Sequence, residues 1–283
     1  MVGFDKELKR DMDKILRKKS SFYFFIGILI IFLFFLFRGC SDSVSKDQLF
    51  HIGRQNSWPS VNLMGKEKNV AAFTDELLSA IAMKEHLNMS LTLTSPNDLM
   101  SKLQDSQFDA IITNLQPEPA IERQYVLSNP FFLLGPVMVV PTESELDTWE
   151  ELKYKIIGIM SQSPILLEIS KDASIRLKLY DDIPKVLSDL FEQKIDGAIL
   201  PALPAYIYIR SFYPGQIKIA TSPLNKDGLR LVALKTDSGK FLIDEFNKGL
   251  AEIKTDGIYQ KLIDNWGLVD FEHIGQNSQP PKK

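Results

Sequence analysis

Cysteine and histidine are almost absent from this chain of 283 residues, which has one cysteine, Cys40, and three histidines. A single cysteine excludes an intramolecular disulfide. The scattered His51, His86 and His273 fit no usual zinc-binding spacing. We therefore expect no structural disulfide, no metal and no other cofactor. A chain of this length can bury a core without such help, as one large domain or as two lobes.

Basic residues are also scarce outside the N-terminal region. Residues 1–39 carry eight Lys/Arg and four Asp/Glu, whereas the remainder carries 25 basic and 32 acidic residues. Because binding to nucleic acid requires clustered Lys and Arg that neutralise phosphates, no nucleic-acid partner is expected for this acidic body. Nucleophilic triads, paired catalytic carboxylates and phosphate-binding glycine loops are not evident in the sequence either, so no enzyme is predicted.

One long apolar run occurs, at residues 22–37, with sixteen apolar residues and no charge. At ~1.5 Å per residue the run would span about 24 Å, somewhat less than the ~30 Å hydrocarbon layer of a membrane. Seven basic residues precede it. We therefore expect 1–21 to be a basic cytoplasmic region and 22–39 a signal or anchor segment. The rest of the chain is then expected outside the membrane.

Phe37 to Cys40 resembles a bacterial lipobox, in which the cysteine is lipid-modified and becomes the new N-terminus. The match is loose, because leucine is expected where Phe37 stands and a small residue where Arg38 stands. The alternative is an uncleaved anchor in which Cys40 has no role. Both interpretations tether the same domain to the membrane, through the polar residues 40–48.

From Leu49 onward, short apolar runs alternate with helical patterns. The predicted strands lie at 49–53, 91–94, 108–115, 136–141, 154–160, 176–180, 196–200 and 228–235. The predicted helices lie at 71–87, 97–104 and 186–193, with two more in 241–267 separated by Gly257. Alternation of this kind is typical of βαβ units in an α/β fold with a mostly parallel sheet.

Three motifs resemble one known family. FDAII (108–112), SNPFF (128–132) and KGLAEIKTDGIYQKLIDNWG (248–267) stand in the order and spacing of bacterial extracellular solute-binding proteins for polar amino acids. The resemblance covers about 49–268. It implies the two-lobed fold of type II periplasmic binding proteins, the receptor components of ABC transporters, which hold a ligand in the cleft between their lobes.

The resemblance also implies a division of the chain. Lobe one is expected at 49–141 plus 225–269 and lobe two at 142–224, with hinges near Pro141 and at 222–224. The polar tail at 270–283 is predicted to be disordered.

Several ligand contacts of the amino-acid binders are replaced in this chain. The arginine that clamps the ligand carboxylate falls at Ile121, and the acid that pairs with the ligand ammonium falls at Pro201. A second acid falls at Gln55. Of the hydroxyl pair at a helix N-terminus in lobe two, the resemblance keeps only Ser163. Because hydrogen bonds to charged groups contribute roughly 1.5–3 kcal/mol each, these losses count against ordinary α-amino-acid binding.

The remaining candidate contacts are mostly apolar or amide-like. The predicted ligand-binding residues are Trp58, Phe73, Thr113, Asn114, Gln116, Glu118, Arg123 and Ser163. Trp58 and Phe73 could instead be packing residues, and Arg123 is either a relocated clamp or a surface residue. Glu118 could favour a neutral or cationic solute, or it could point to solvent and pair with Arg123.

Together these features predict a membrane-tethered receptor that captures a small polar solute and delivers it to an ABC permease in the inner membrane. The alternative is a receptor-derived module that senses a solute or binds a partner and no longer serves import. A few members of the family are dehydratases, but that activity requires an acid or base in the cleft, and only Glu118 qualifies. We therefore predict a binding protein and not an enzyme.

Overall fold

Two separate β-sheets organise the part of the chain that this computed structural model describes, which is residues 45–55, 57 and 62–274. Each sheet is covered by helices, so the predicted two-lobed α/β class is confirmed. The predicted N-terminal regions at 1–21 and 22–39, Cys40 and Trp58 lie outside the described residues. Among the residues described, no helix combines the length and the apolarity needed to cross a membrane.

The first sheet belongs to lobe one. Its strands are β1 (Leu49–Gln55), β2 (Asn88–Thr94), β3 (Ala110–Thr113), β4 (Tyr125–Leu127), β5 (Phe132–Leu133) and β11 (Gly228–Leu234). The order is β2-β1-β3-β11-β4, with β5 paired to β11. β1, β2 and β3 are parallel, whereas β11 runs antiparallel to β3, β4 and β5.

The second sheet belongs to lobe two. Its strands are β6 (Pro136–Pro141), β7 (Ile156–Met160), β8 (Arg176–Tyr180), β9 (Gly197–Pro201) and β10 (Ile217–Ile219). The order is β10-β6-β9-β7-β8, with β7, β8 and β9 parallel and β6 antiparallel to both β9 and β10. Both sheets are therefore mixed, because the strands that enter from the other lobe run against the βαβ strands.

Three of the seven α-helices described begin at a residue whose side chain caps them. Lobe one carries α1 (Glu67–Glu85), α2 (Pro96–Gln104), α6 (Asp237–Thr255) and α7 (Ile258–Asn265), and lobe two carries α3 (Leu166–Ile169), α4 (Ile183–Phe191) and α5 (Ala202–Phe212). Ser95 and Asp182 cap α2 and α4 by accepting a backbone N–H through their side chains, and each of these helices has a proline in its first turn. Proline is favourable there because its missing N–H would be unpaired in any case.

Each lobe has its own apolar core. In lobe one, Phe73 on α1 is fully buried and lies against the rings of Phe132 and Tyr259, with centroid distances of 5.6 and 5.7 Å. In lobe two, buried residues of β6, β7 and β9, such as Ile157 and Ile199, pack together. Burial of this kind, at about 25 cal/mol per Å² of apolar surface, is the main source of stability in each lobe.

The chain crosses between the lobes twice, at 134–135 and at 220–227. The two crossings bond to each other: Leu134 N and Gly135 N donate to the carbonyl oxygen of Asp227, at 2.8 and 3.1 Å. Leu224 N donates to the carbonyl oxygen of Pro136 at 2.7 Å. A paired connection of this type has few exposed backbone groups and suits a hinge, because only a few residues need to change conformation.

Two boundaries predicted from the sequence are wrong. Residues 136–141 were expected in lobe one, but they form β6 and pair with β9 and β10 of the second sheet, so this crossing lies at 134–135 and not near Pro141. The tail was expected to be disordered from 270 onward. Instead, Phe271–His273 forms a 3-10 helix in which Phe271 is buried, because its ring packs on lobe two.

Candidate functional site

The strand directions place one end of each sheet at the crossings. β11 enters lobe one at Gly228 and runs antiparallel to β3, so its start lies beside the carboxyl end of β3. β6 enters lobe two at Pro136, which is paired with Pro201 at the carboxyl end of β9. The carboxyl ends of the parallel strands of both lobes therefore lie on the side where the chain crosses. In open α/β sheets this is the edge at which ligands bind.

Neutral polar side chains form the lobe-one rim of this cleft. Gln55 is the last residue of β1, and Thr113 is the last residue of the neighbouring strand β3. Each follows directly after a residue of the paired positions Arg54 and Ile112. Gln55 is buried, whereas Thr113, Asn114 and Gln116 are half-buried. The structure thus places Thr113, Asn114 and Gln116 at the edge where the sequence predicted them. Their contact with a ligand remains a prediction.

Arg54 fixes the end of β1 beside Gln55. Its Nε lies 2.9 Å from Asp75 Oδ1, and its Nη2 donates to Asp75 Oδ2 at 3.0 Å. The Arg54 side chain is only 7% exposed, whereas that of Asp75 on α1 is 42% exposed. Only the Nη2 contact is a hydrogen bond, because Arg54 Nε and Asp75 Oδ1 have no hydrogen-bond partner among the described residues. The ion pair joins β1 to α1 beside the cleft rim. The charge of Arg54 is already neutralised, so it is a poor candidate for clamping a ligand carboxylate.

A second buried arginine, Arg230 on β11, was not predicted. It is 3% exposed and pairs in the sheet with Thr113. Its Nη2 donates to Gln116 Oε1 at 3.2 Å, so this arginine lies directly behind a predicted ligand residue. A sequence signal was present, because Arg230 is the one charged residue inside the apolar run GLRLVAL of β11.

Ile121, predicted to stand where the family has its clamping arginine, packs toward the core of lobe one. Ile121 is partly buried and packs against the cluster that contains Leu103 and Tyr125. Glu118 and Arg123, on the same segment, are exposed. Glu118 therefore matches the predicted solvent-facing alternative, and Arg123 matches the surface alternative better than a relocated clamp.

Of the two predicted aromatic walls, Phe73 is placed in the lobe-one core. With zero exposure and with Phe132 and Tyr259 against its ring, it presents no surface to a ligand, so its assignment to the site is wrong. The apolar face of α1 explains this placement, because Val70, Leu77 and Ile81 share it. The assignment of Trp58 remains a prediction.

The lobe-two rim is formed by the turn after β7 and by the end of β9. Ser163 is half-buried in that turn, where its N–H donates to the carbonyl oxygen of Met160 at 2.9 Å. Its hydroxyl is thus held at the carboxyl edge of the second sheet. Pro201 is exposed at the end of β9 and supplies no charge.

Two buried carboxylates stand in strong charge clusters, one in each lobe. In lobe two, hydrogen bonds from Lys178, Lys185 and Tyr180 hold the pKa of the buried Asp189 far below the usual aspartate value. In lobe one, burial raises the pKa of Glu85, but Lys248 outweighs this effect and the net pKa is lowered. Both carboxylates are therefore ionised and bonded within the fold, which indicates structural roles.

The cleft rims therefore offer amide and hydroxyl groups with no free carboxylate or ammonium at the expected positions. Within the described ranges, no three His, Cys, Asp or Glu side chains are grouped so that they could hold a metal ion. Such an edge can hydrogen-bond to a small polar molecule and orient it. It supplies no obvious general acid, base or nucleophile for a reaction.

The chain is similar to proteins with known names. The family described as bacterial extracellular solute-binding proteins, family 3, matches residues 50–269. The arginine-binding extracellular protein ArtP of Bacillus subtilis is 23% identical over 201 residues, which cover 70% of this chain and 78% of that protein. The L-cystine-binding protein TcyJ of Escherichia coli is 21% identical over 235 residues, covering 82% and 87%.

Among solved structures, the unliganded L-cystine solute receptor of Neisseria gonorrhoeae aligns with a TM-score of 0.60 at 19% identity, covering 79% of this chain and 94% of that one. The second substrate-binding domain of a putative amino acid ABC transporter from Streptococcus pneumoniae aligns with a TM-score of 0.55 at 21% identity, covering 77% and 99%. At these identities the structural similarity supports the fold alone.

Proposed function

Because this chain belongs to the bacterial extracellular solute-binding proteins of family 3, we propose that it captures a small amino-acid-like solute for an ABC importer. The observation that carries the proposal is the meeting of the polar strand ends of both lobes at a paired hinge. A solute that contacts both rims binds the closed state best and shifts the population toward it. The closed shape would then be presented to a permease in the inner membrane.

The proposed ligand differs in its contacts from an ordinary α-amino acid. Ile121 packs in the core, and Gln55 and Pro201 stand where the family's acids are expected. Amides at Gln55, Asn114 and Gln116 favour a solute that offers hydrogen-bonding groups of both kinds, such as a carboxamide. The names of the relatives, which bind arginine or cystine, suggest a starting panel for tests.

We further propose a membrane tether at the N-terminal apolar segment, with Cys40 either lipid-modified or idle in an uncleaved anchor. The support is the charge pattern around residues 22–37. Replacing Cys40 by serine separates the alternatives, because only in a lipid-modified protein does it abolish labelling by fatty acid and prevent the removal of residues 1–39, so that the chain becomes heavier. If the anchor is uncleaved, the replacement changes the mass of the chain only by the exchange of sulfur for oxygen.

The experiment that tests the proposed function is a thermal unfolding screen of the full chain in detergent, with L-arginine, L-cystine, L-glutamine, polar amides and polyamines. A ligand at about a hundred times its dissociation constant adds about 2.7 kcal/mol and raises the melting temperature by several degrees. The shift should fall in Asn114→Ala and in Gln55→Ala. It should persist in Asn265→Ala, which removes an amide at the end of α7.

A folded protein that shows no shift across the panel would count against solute import. The sensing or partner-binding alternative then becomes the better explanation. A shift that all three variants retain would support a binding protein but place its ligand away from the predicted rim.

A further inference from the structure

Arg230 is a buried cation whose side-chain partners are all neutral. Its Nη2 donates to the carbonyl oxygen of Lys226 at 2.6 Å and to Gln116 Oε1 at 3.2 Å, and its Nη1 donates to the carbonyl oxygen of Ser128 at 3.4 Å. The Nε atom is buried and has no hydrogen-bond partner among the described residues. The guanidinium therefore has donor capacity that the protein does not use.

The burial of this charge is unfavourable in the absence of an anion. Arg54, the other buried arginine, is paired with the carboxylate of Asp75, whereas no such ion pair is formed at Arg230 within the described part of the chain. Burial lowers the pKa of Arg230, and the nearby Asp227 opposes this only in part. Buried charges in proteins are normally paired, since an unpaired one is costly to desolvate.

Arg230 lines a surface groove of about 710 Å³, whose lining also includes Lys226 of the second crossing. The groove runs beside the edge strand β4 and the helix α6, and we call it the Arg230 groove. Its charged lining residues are Lys226, Arg230, Lys235, Lys240, Glu122 and Asp244. Four cations and two anions give the lining a net positive charge, although Lys240 is paired with Asp237 at 3.2 Å and the body of the protein beyond residue 39 is acidic.

The Arg230 groove differs from the cleft in its walls. The backbone at Ser128 and Lys226, whose carbonyl oxygens accept from Arg230, lies in the groove wall, as do Asn129 and Asn247. Gln116 of the cleft rim accepts from the same nitrogen, Nη2, that donates to the carbonyl oxygen of Lys226, so this guanidinium bonds to both the groove wall and the cleft rim. The Arg230 groove therefore combines an arginine with unused N–H donors, several lysines and two side-chain amides.

We propose that the Arg230 groove binds a small oxyanion, of the carboxylate or phosphate class, with Arg230 as its buried anchor and the exposed lysines as its rim. A guanidinium presents planar, paired N–H donors that match such an anion better than an ammonium does. The anion neutralises a charge that lies behind the cleft residue Gln116. It would therefore stabilise lobe one and fix the position of that amide.

The test measures thermal unfolding of the full chain in detergent at constant ionic strength. Inorganic phosphate, sulfate or citrate replaces chloride. We expect a saturable rise of roughly 5 °C in the melting temperature of the wild type when the anion is at about a hundred times its dissociation constant. In Arg230→Met the saturable part of the rise should disappear.

Phosphate and sulfate stabilise many proteins through exclusion from the surface, so the variants decide the outcome. If Arg230→Met does not fold, the double variant Lys226→Gln/Lys240→Gln replaces it, because both lysines are exposed. It should lose at least half of the saturable rise. The matched control, Lys171→Gln/Lys261→Gln, removes two exposed lysines elsewhere and should keep all of it.

Two results would overturn the proposal. One is the absence of any saturable rise with phosphate, sulfate or citrate in the wild type. The other is an equal rise in the wild type, in Arg230→Met and in the lysine double variants. Neither result affects the proposed function, because a cleft ligand from the amino-acid panel is detected independently through Asn114→Ala.

Discussion

The rings of Phe271 and Tyr206 meet edge to face, with their centroids 6.2 Å apart and their planes at 82°. Phe271 follows the last helix of lobe one, whereas Tyr206 lies on α5 of lobe two. Two further bonds hold this C-terminal segment: Lys254 Nζ donates to Glu272 Oε2 at 2.5 Å, and Ser222 Oγ donates to the carbonyl oxygen of Glu272 at 3.0 Å. The segment therefore joins both lobes and one of the crossings.

Replacement of Phe271 by alanine should destabilise the protein by about 3 kcal/mol, near the lower end of values for buried phenylalanine. The loss is expected because Phe271 is 1% exposed and its ring is the main apolar contact of the segment. Urea unfolding at neutral pH measures it. Phe212→Ala is the control, since Phe212 on α5 is 67% exposed and should cost under about 1 kcal/mol. Equal effects of the two replacements would contradict a structural role for Phe271.

The order of strands and helices could be predicted because apolar periodicity is a local signal. The lobe boundary could not be predicted, because the sequence of β6 is that of a buried strand whichever of the two sheets it pairs with. Pairing with β9 is set by residues about 60 positions away in the chain. The short strands β4, β5 and β10 were missed for a related reason: three residues or fewer show no reliable alternation.

The candidate site was predicted in part. Thr113, Asn114 and Gln116 were located from the end of an apolar strand, and the structure places them at the cleft edge. Phe73 was misassigned because an aromatic on the apolar face of a helix can face a cleft or a core, and the sequence does not distinguish these. Arg230 was overlooked because a charged residue in a strand is usually taken as solvent-exposed, whereas β11 is buried along most of its length.

The ion cluster at Asp189 makes a pH-dependent contribution to stability. Lys178, Lys185 and Tyr180 donate to its carboxylate at 2.8–2.9 Å, and Lys194 lies at 3.8 Å. These partners, with the bond from Lys178 first, depress the pKa of Asp189 below the ordinary value of 3.8. A carboxyl group whose pKa is lower in the folded than in the unfolded protein stabilises the fold at pH values above its pKa in the unfolded chain. This stabilisation is lost as the pH falls toward its pKa in the folded protein.

We therefore expect Asp189→Asn to be less stable than the wild type at pH 7, with a difference that shrinks as the pH falls below 3.8. The asparagine keeps a similar shape but removes the charge that the lysines compensate. Urea midpoints at pH 7, 4 and 3 measure the difference. Asp105→Asn, an exposed aspartate at the end of α2, should show little difference at any of these pH values. A constant gap between wild type and Asp189→Asn at all three would contradict the electrostatic explanation.

The hinge crossing at 134–135 requires glycine because another crossing lies directly against it. A Cβ at position 135 would stand 2.3 Å from Asn225 Oδ1 and 2.9 Å from the Asn225 carbonyl oxygen. Gly135→Ala should therefore push the two crossings apart and cost about 1–3 kcal/mol, as overpacking commonly does. It should also weaken the binding of any cleft ligand, because closure depends on these paired segments.

A double-mutant cycle separates the side-chain clash from the backbone clash. Asn225→Ala alone removes two bonds, from Asp227 N to Asn225 Oδ1 at 3.1 Å and from Asn225 Nδ2 to Asp227 Oδ2 at 2.9 Å, and should cost about 1–3 kcal/mol. Combined with Gly135→Ala it also removes the nearer of the two clashing atoms, so the double variant should be more stable than the sum of the single effects predicts, by 0.5 kcal/mol or more. The destabilisation that remains in the double variant then measures the contact between the Cβ at position 135 and the carbonyl oxygen of residue 225, because a side-chain replacement does not remove that oxygen. Strictly additive free energies of unfolding would show that the crossings can separate without strain, and glycine at position 135 would then need another explanation.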